Sequence, residues 1–325
     1  MSEIIVGGTA VTGIVHVYNE HASSAKLMRQ ARDKLTQDLP DLNHRYIETD
    51  LNLDNTISEI QDTVTLGDLV CVEGGETTMN TVARAMTSGN LRGKLIPSLV
   101  LDGGAESDLS HMLYRSSVAK RPVKVLGSSI LKVIYPIEFY IQPQDKSQAP
   151  RKEIAVCYGG IGAMAKTGEL INTRRTGVTL EAMRSNRLGR FTLGAMLAIE
   201  GLARAKKFMI TDNKTDQKQQ LSLAEFGYIN GSRMAGGVII TPVEIDDKRA
   251  VRIKAGDKHT LIRELASLAT GMSDGHIVGE IDDDLTLESS AWFHRDAEHR
   301  LLTKGTRVEI SRSVDPFYVL SDRQS

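Results

Sequence analysis

The stretch that decides the fold is Leu69–Asn80, which reads LVCVEGGETTMN. Its first four residues form a continuous apolar run, as expected of a strand that is buried on both faces. The two glycines break this run, and apolar residues then recur at i, i+3, i+4 and i+7 from Met79, which is the spacing of one helical face. The stretch therefore predicts a strand, a glycine turn and a helix in direct succession.

The same alternation continues on both sides of this unit. Upstream, Ile14–Tyr18 predicts a strand, and apolar residues at every fourth position from Leu27 to Leu35 predict a helix. Downstream, Leu99–Leu101 predicts another strand, and a second glycine pair, Gly103-Gly104, follows it. Alternating strands and helices are typical of a parallel sheet, whose ligands bind at the carboxyl ends of the strands. Residues 1–125 are therefore predicted to form an α/β domain with both glycine pairs at its binding edge.

The pattern changes near residue 125, where many short strands replace the regular alternation. Ile154–Tyr158, Glu225–Ile229 and Ala250–Ala255 are examples of these runs. They predict a second, mainly β domain over residues 126–307, built as a sandwich. The last segment, residues 308–325, is expected to return to the first domain.

Composition narrows the classes of function. The chain has 325 residues and a net charge of -1, from 40 basic and 41 acidic residues, so we expect no nucleic-acid partner. Cys71 and Cys157 lie in apolar runs, which predicts buried thiols and a reducing, cytoplasmic compartment. No apolar stretch approaches the roughly 18 residues that span a bilayer. We therefore expect at most a peripheral contact with the inner face of a membrane, and a homo-oligomer is compatible with the sequence.

A second candidate site lies near the end of the chain. Asp296 and Glu298 are two residues apart, so on an extended segment both carboxylates would point to the same face. A solvated hairpin turn is the alternative interpretation. His294 and His299 flank the acids, but the sequence shows no further ligand cluster that would favour a metal site.

Several of these motifs resemble those of a known family. Gly74–Val82 resembles the GGDGTxNEV loop of diacylglycerol kinases, bacterial lipid kinases and sphingosine kinases. Asp102–Asp108 is similar to their PxGTxND loop, and Asn19–Ser23 to their NPxSG segment. Ile229–Gly231 resembles their ANG signature, and Asp296–Glu298 stands where they carry DGE. These landmarks occur in the family's order along most of the chain.

The resemblance implies a fold and an activity. The implied fold is a Rossmann-like, phosphofructokinase-like nucleotide-binding domain followed by a β-sandwich, with a cleft between them. The implied activity is transfer of the ATP γ-phosphate, with Mg2+, to the free hydroxyl of a diacylglycerol-like or sphingoid-like lipid. By the same resemblance, Asp296 is the general base and Glu298 its neighbour. The implied nucleotide site comprises Asn19, Ser23, Gly74, Gly75, Glu76, Thr77, Thr78, Gly104 and Asp108.

The sequence also departs from the family pattern. Glu76 replaces the Asp of the loop, and Thr77 replaces the glycine that follows that Asp. Thr81 replaces the Glu that follows the Asn, and Ala297 replaces the Gly of DGE. These departures leave open a non-catalytic relative that binds a nucleotide or a lipid. An NAD-kinase-like enzyme, which shares the GGDGT loop, is a further alternative. The landmarks over residues 230–237 favour the lipid-kinase branch.

Overall fold

The computed structural model describes residues 3–22, 25–102, 108–165, 206–214, 220–234, 238–239, 243–245, 248–269, 277–296 and 298–323. The chain divides into two compact units. The first comprises Met1–Pro136, Ile245–Asp247 and Ser313–Ser325, and the second comprises Ile137–Glu244 and Lys248–Arg312.

Strands and helices alternate in the first part of the chain, and strands dominate the second. The elements up to Pro136 are β1 (Ile4–Val6), β2 (Thr9–Val11), β3 (Gly13–Tyr18), α1 (Ala25–Asp38), β4 (Asn43–Glu48), α2 (Leu53–Thr63), β5 (Asp68–Gly74), α3 (Glu76–Met86), a 3-10 turn (Gly89–Leu91), β6 (Ser98–Asp102), α4 (Asp108–Leu113), α5 (Pro122–Ser128) and β7 (Ile130–Ile134). Those that follow are β8 (Ile137–Gln142), β9 (Arg151–Ala155), β10 (Tyr158–Gly162), β11 (Phe208–Asp212), β12 (Gln220–Leu223), β13 (Glu225–Ile229), β14 (Arg233–Met234), β15 (Val238–Ile239), β16 (Ala250–Ala255), α6 (Lys258–Ala269), β17 (Ile277–Val278), β18 (Asp282–Leu287), β19 (Ala291–Arg295), β20 (Glu298–Leu302), β21 (Arg307–Arg312) and β22 (Phe317–Ser321).

The first unit is built on one six-stranded sheet in the order β4-β3-β5-β6-β22-β7. Its pairs are parallel except for the antiparallel pair of β22 and β7. All seven residues of β5 are buried, which explains why its sequence is continuously apolar from Leu69 to Val72. Helices α1 and α3 pack on β5. The α/β architecture predicted from the sequence is therefore confirmed.

The second unit contains two six-stranded antiparallel sheets. Their orders are β17-β16-β13-β10-β19-β20 and β12-β11-β18-β21-β8-β9. One hydrophobic core receives side chains from both, including Phe226 and Phe293 from the first sheet and Phe139 from the second. The rings of Phe139 and Phe293 meet edge to face, with centroids 5.1 Å apart. This unit is therefore the β-sandwich that the short strands predict.

The chain passes between the units near Pro136 and again near Ser313. Residue 125, where the sequence pattern changes, lies inside α5 and within the first unit. At the other end, β21 belongs to a sandwich sheet, whereas β22 lies between β6 and β7 in the sheet of the first unit. The Ser321 hydroxyl donates to the Leu113 carbonyl at 2.6 Å, which ties the last strand to the end of α4. In the described part of the chain, no helix has the length and apolar character needed to cross a membrane.

Candidate functional site

Three parallel strands end side by side in the first unit. In the sheet register, Tyr18 of β3 is the neighbour of Glu73 of β5, and Gly74 is the neighbour of Asp102 of β6. The amide of Asn19 donates to the carbonyl of Glu73 at 3.0 Å. The structure therefore brings Asn19 and the glycine loop, which are more than 50 residues apart in the sequence, to one edge of the sheet.

The two glycines of the loop have different steric surroundings. A Cβ atom placed on Gly74 would lie 2.2 Å from the Oγ1 atom of Thr78, which is much closer than van der Waals contact allows. Gly75 is exposed, and a Cβ atom there would meet no atom within 4 Å. Gly74 thus permits close packing of the helix on the strand end, whereas Gly75 leaves open space in front of the backbone.

The helix that follows starts directly at this opening. Gly75 is the N-cap of α3, and as a glycine it has no side chain to cap the first turn. Glu76 and Thr77 are half-buried in that turn, and Thr78 is buried. Amide N–H groups at a helix N-terminus carry partial positive charge, and they form a ready site for an anion.

The remaining residues of the predicted nucleotide site are only partly described. Asp108 is fully buried in the first turn of α4. Ser23 and Gly104 lie outside the described residues, as does Ala297 beside the predicted base. The described residues of this candidate site are therefore Asn19, Gly74, Gly75, Glu76, Thr77, Thr78 and Asp108.

The carboxylate of Asp296 is engaged by backbone groups. Its Oδ2 atom accepts a hydrogen bond from the amide of Val156 at 2.9 Å, and its Oδ1 atom accepts from Cys157 at 3.0 Å and Tyr158 at 2.9 Å. Asp296 is 5% exposed and has a positive φ of 43°, which Asp tolerates better than most residues. These hydrogen bonds fix the turn between β9 and β10 against Asp296.

A second landmark residue holds the same turn from its carbonyl side. The Asn230 side chain donates to the Val156 carbonyl at 2.9 Å, and its backbone amide donates to the Cys157 carbonyl at 2.6 Å. The Oδ1 atom of Asn230 accepts from Arg312 at 2.9 Å. Asp296 and Asn230 therefore satisfy the buried amide and carbonyl groups of one tight segment.

Glu298 belongs to a cluster of ion pairs instead. Its Oε2 atom lies 2.6 Å from Arg295 Nη2, and the same nitrogen lies 3.1 Å from Glu153 Oε2. A cavity of about 50 Å³ adjoins this cluster, which is room for one or two water molecules. The structure thus places Asp296 and Glu298 in different hydrogen-bonding environments. Within the described residues, no group of three or more His, Cys, Asp or Glu side chains is arranged to hold a metal ion.

Comparison with known proteins identifies the fold. No protein-family model matches the chain, and no curated protein matches its sequence. Among solved structures, a diacylglycerol kinase from Bacillus anthracis str. Sterne is similar with a TM-score of 0.61 and 14% identity, over 95% of this chain and 97% of that one. Yeast NADH kinase in complex with NADH is similar with a TM-score of 0.53 and 11% identity, over 96% of this chain and 84% of that one. The chain therefore shares its fold with these two solved structures.

The first unit contains a buried polar network directly behind the glycine loop. His16 and Glu73 are fully buried, and His16 Nδ1 lies 2.6 Å from Glu73 Oε1. His16 Nε2 lies 3.0 Å from His44 Nδ1, and His44 Nε2 lies 2.9 Å from the Leu39 carbonyl oxygen. On the other side, Glu73 Oε2 lies 3.3 Å from Arg32 Nη1. The network therefore runs from the sheet edge at β4 to the strand end that precedes Gly74.

The direction of the hydrogen bonds fixes the protons in this network. The Leu39 carbonyl can only accept, so His44 donates from Nε2 and accepts at Nδ1. His16 then donates from Nε2, and its Nδ1 atom accepts a proton from a neutral Glu73 carboxyl group. Burial lowers the pKa of His16 to about 3, with a further contribution from the Arg32 charge, and burial raises the pKa of Glu73 to about 8. His16 and Glu73 thus form a neutral hydrogen-bonded pair.

Arg32 connects this pair to the exposed side of the site. Its Nη2 atom lies 3.0 Å from Glu20 Oε1, and its guanidinium carbon lies 4.0 Å from the centre of the Tyr18 ring. A shallow recess beside Asn19 is bordered by Tyr18, Glu20, Arg32 and Glu73. A cationic side chain therefore stands next to the strand ends where the glycine loop begins.

Sequence motifs alone do not mark His16, Glu73 or Arg32 as functional candidates. His16 lies in an otherwise apolar strand, and Glu73 ends the apolar run from Leu69 to Val72. A charged or polar side chain inside a predicted buried strand is a signal for a polar network. That signal could have located the two residues, but it could not have shown that they pair, because they are 57 positions apart.

Proposed function

We propose that the protein is an ATP-dependent phosphotransferase that transfers the γ-phosphate to the hydroxyl group of a lipid. The observation that carries this proposal is the open backbone at Gly75, which is the N-cap of α3. The phosphates of ATP would lie over Gly74–Thr78, where amide N–H groups and the helix dipole favour negative charge. Phosphoryl transfer depends mainly on such positioning and charge stabilisation.

The residues at this edge fit a nucleotide and a magnesium ion. The backbone amide of Asn19 holds this residue at the end of β5, and its side-chain Oδ1 atom accepts from the His21 amide at 2.9 Å. The carboxylate of Glu76 supplies an oxygen ligand of the kind that Mg2+ prefers. Bound Mg2+ would neutralise charge on the transferred phosphate. Asn80, one turn into α3, is fully buried. Its side-chain amide makes no hydrogen bond within the described residues, so a buried polar group behind the loop can still accept a partner.

The acceptor class is supported by two resemblances. The sequence landmarks resemble those of lipid kinases, and the fold is shared with a diacylglycerol kinase. A lipid hydroxyl of the diacylglycerol or sphingoid type is therefore the proposed acceptor. The shared fold with yeast NADH kinase supports a second candidate, in which a dinucleotide is the acceptor.

Replacing Gly75 with Val tests the nucleotide site. The backbone at Gly75 is extended, with φ of -85° and ψ of -169°, so Val fits the local conformation and the open space. Its branched side chain would occupy the position of the phosphates, and we expect ATP affinity to fall at least about tenfold, which corresponds to about 1.4 kcal/mol. Isothermal titration calorimetry with Mg-ATP measures this change.

Gly127→Val is the matched control, because Gly127 is exposed in α5 and a Cβ atom there also meets nothing within 4 Å. Equal ATP affinity of the Gly75→Val variant and the wild type would contradict the site. Transfer of radiolabelled γ-phosphate to dioctanoylglycerol, sphingosine, phosphatidylglycerol or NAD then identifies the acceptor. ATP binding without transfer to any of them would favour the non-catalytic relative.

A further inference from the structure

The second unit has a polar cavity at the edge of its sandwich. Strand β9 is an edge strand of one sheet, and β20 is an edge strand of the other. Side chains from these two strands and from β19 line a cavity of about 50 Å³, and they are Glu153, Phe293, Arg295, Glu298, His299 and Arg300. All of them belong to the second unit. This space is called the sandwich-edge cavity below.

Several polar atoms around the sandwich-edge cavity have no hydrogen-bond partner within the described residues. They include Arg300 Nε and Nη2, Glu298 Oε1 and His299 Nδ1, and all of these atoms are buried. Arg300 Nη1 lies 3.0 Å from Glu153 Oε1, so the guanidinium is held in place and its Nε–Nη2 edge remains available. Buried donors and acceptors nearly always have a partner. A polar molecule in the cavity is therefore the expected partner of these atoms.

Another arginine of the same unit shows what such an edge binds. Arg307 donates from Nε at 2.8 Å and from Nη2 at 2.6 Å to the two carboxylate oxygens of Asp284. Two parallel N–H groups of this kind match the geometry of an oxyanion. The equivalent edge of Arg300 therefore fits an oxyanion in the cavity.

The charges near the cavity also favour an anion. Glu153 pairs with both Arg295 and Arg300, and Glu298 pairs with Arg295. Arg151, on the same strand as Glu153, adds a third positive charge. Burial lowers the pKa of Arg300, and the charges of Arg151 and Arg295 lower it further against the opposing effect of Glu153. Three guanidinium groups beside two carboxylates leave one positive charge that a bound anion would balance.

The carboxylate oxygen without a partner selects among anions. An anion that accepts from Arg300 and also lies against Glu298 Oε1 must carry a proton that it can donate to this oxygen. Sulfate and carboxylates are fully ionised at neutral pH and can only accept, whereas inorganic phosphate keeps at least one proton. A compact tetrahedral ion is also similar in size to the one or two water molecules for which the cavity has room.

We propose that the sandwich-edge cavity binds inorganic phosphate, with the Nε–Nη2 edge of Arg300 donating to its oxygens and Glu298 accepting its proton. The ion would join β20 to the ion-pair cluster that reaches β9. Because the site exists only in the folded chain, bound phosphate would stabilise the fold as its concentration rises. The proposal does not depend on the phosphotransferase function, since all the lining residues lie in the second unit.

Isothermal titration calorimetry of the full chain with sodium phosphate at pH 7 and constant ionic strength tests the site. We expect saturable binding of phosphate and weaker binding of sulfate and acetate. Glycerol 3-phosphate, which is mostly without a proton at this pH, tests for a phosphomonoester and should also bind more weakly. Arg300→Gln should lower the affinity for phosphate at least about tenfold, because charge-assisted hydrogen bonds are lost. Arg307→Gln, whose matching edge is occupied by Asp284, is the control and should keep wild-type affinity.

Two further variants locate the ion and test its proton. The N-terminus of α3 also attracts anions, so the titration is repeated with Gly75→Val, which should keep its affinity for phosphate. Glu298→Gln offers an amide donor to an anion, and it should remove the preference for phosphate over sulfate.

An NMR measurement on the wild type does not depend on the folding of any variant. We expect phosphate to shift the Nε–H signal of Arg300 and to leave that of Arg307 in place. An unchanged Arg300 signal, equal phosphate affinity of Arg300→Gln and the wild type, or loss of phosphate binding in Gly75→Val would overturn the site. Equal affinity of the wild type for phosphate and sulfate would contradict the assignment to phosphate.

Discussion

At the residue scale, Asp296 shows how one carboxylate can stabilise a turn. Asp296→Asn preserves the shape of the side chain but places an NH2 group opposite an amide donor. We expect the free energy of unfolding to fall by about 1–3 kcal/mol, because one buried N–H loses its acceptor. Urea denaturation measures this change. Asp62→Asn, at an exposed position in α2, is expected to leave stability unchanged. If Asp296→Asn had wild-type stability and no transferase activity, that result would support the predicted role of Asp296 as the general base.

The sequence could show that Asp296 and His294 are present, but it could not show their partners. The amides that bind Asp296 come from residues 138 to 140 positions earlier in the chain. The carboxylate of Glu225, whose Oε1 atom lies 3.0 Å from His294 Nε2, is 69 positions away. Spacing within a segment predicts which side chains share a face, whereas hydrogen bonds between distant strands depend on a register that no local pattern encodes. The role of Asp296 as general base therefore stays a prediction. Its hydrogen bonds to three backbone amides give it a structural role as well, which is to stabilise the turn between β9 and β10.

At the element scale, the β5–loop–α3 unit was predictable because its information is local. The apolar residues expected on one face of the helix, Met79, Val82, Ala83 and Met86, are all buried. The strand extends from Asp68 to Gly74, beyond the apolar run at both ends. The last strand of the sheet is different. Its place between β6 and β7 follows from long-range pairing, so the sequence indicated a return of the chain but not the position of β22.

The same unit provides a stability prediction that separates the two loop glycines. In Gly74→Ala, the new methyl group would collide with Thr78, whose Oγ1 and Cβ atoms lie 2.2 Å and 2.6 Å from the added carbon. Helix α3 would have to move away from the end of β5, and we expect a loss of about 1–3 kcal/mol in the free energy of unfolding. Gly75→Ala adds the same methyl group to open space and should change stability little. Equal stability of the two variants would show that the close packing at Gly74 has no energetic weight.

At the scale of the whole molecule, the order of short motifs predicted the fold better than any one motif did. The identity to the solved kinase structures is only 14% and 11%, yet each match covers at least 95% of this chain. Fold is set by where apolar strands, turns and helices follow one another, and substitutions that keep this pattern preserve it. The proposed chemistry depends on single side chains, such as Glu76 and Thr77 in the candidate nucleotide site, which the pattern does not determine. The fold was therefore accessible from the sequence, and the reaction remains a proposal.

The pH dependence of unfolding is a further property of the whole molecule, and the His16–Glu73 pair sets its direction. The pKa of Glu73 is raised from 4.5 to about 8 on folding, so the folded protein retains a proton that the unfolded chain loses in this range. The pKa of His16 is lowered from 6.5 to about 3, so the unfolded chain holds a proton there that the folded protein lacks. Between pH 4.5 and 6.5 these two differences cancel.

Outside the interval from pH 4.5 to 6.5, the folded and unfolded states differ by one bound proton. Above pH 6.5 the folded state binds one more proton, through Glu73, and stability falls as pH rises towards 8. Below pH 4.5 the unfolded state binds one more, through His16, and stability falls as pH decreases towards 3. One proton corresponds to about 1.4 kcal/mol per pH unit, so the loss between pH 6.5 and 8 should be about 2 kcal/mol.

Glu73→Gln isolates this contribution, because a Gln amide can still donate to His16 Nδ1 but does not titrate. Urea unfolding at pH 5.5, 6.5 and 8 gives the free energy of unfolding of the wild type and of the variant. In the difference between the two, the contributions of the other titrating groups cancel. We expect the wild type to lose about 2 kcal/mol more than the variant between pH 6.5 and 8. Parallel curves would mean that Glu73 is already charged at neutral pH. The Arg32 guanidinium, whose Nη1 atom lies 3.3 Å from Glu73 Oε2, would then balance that charge, and the neutral hydrogen-bond chain from Leu39 to Glu73 would be wrong.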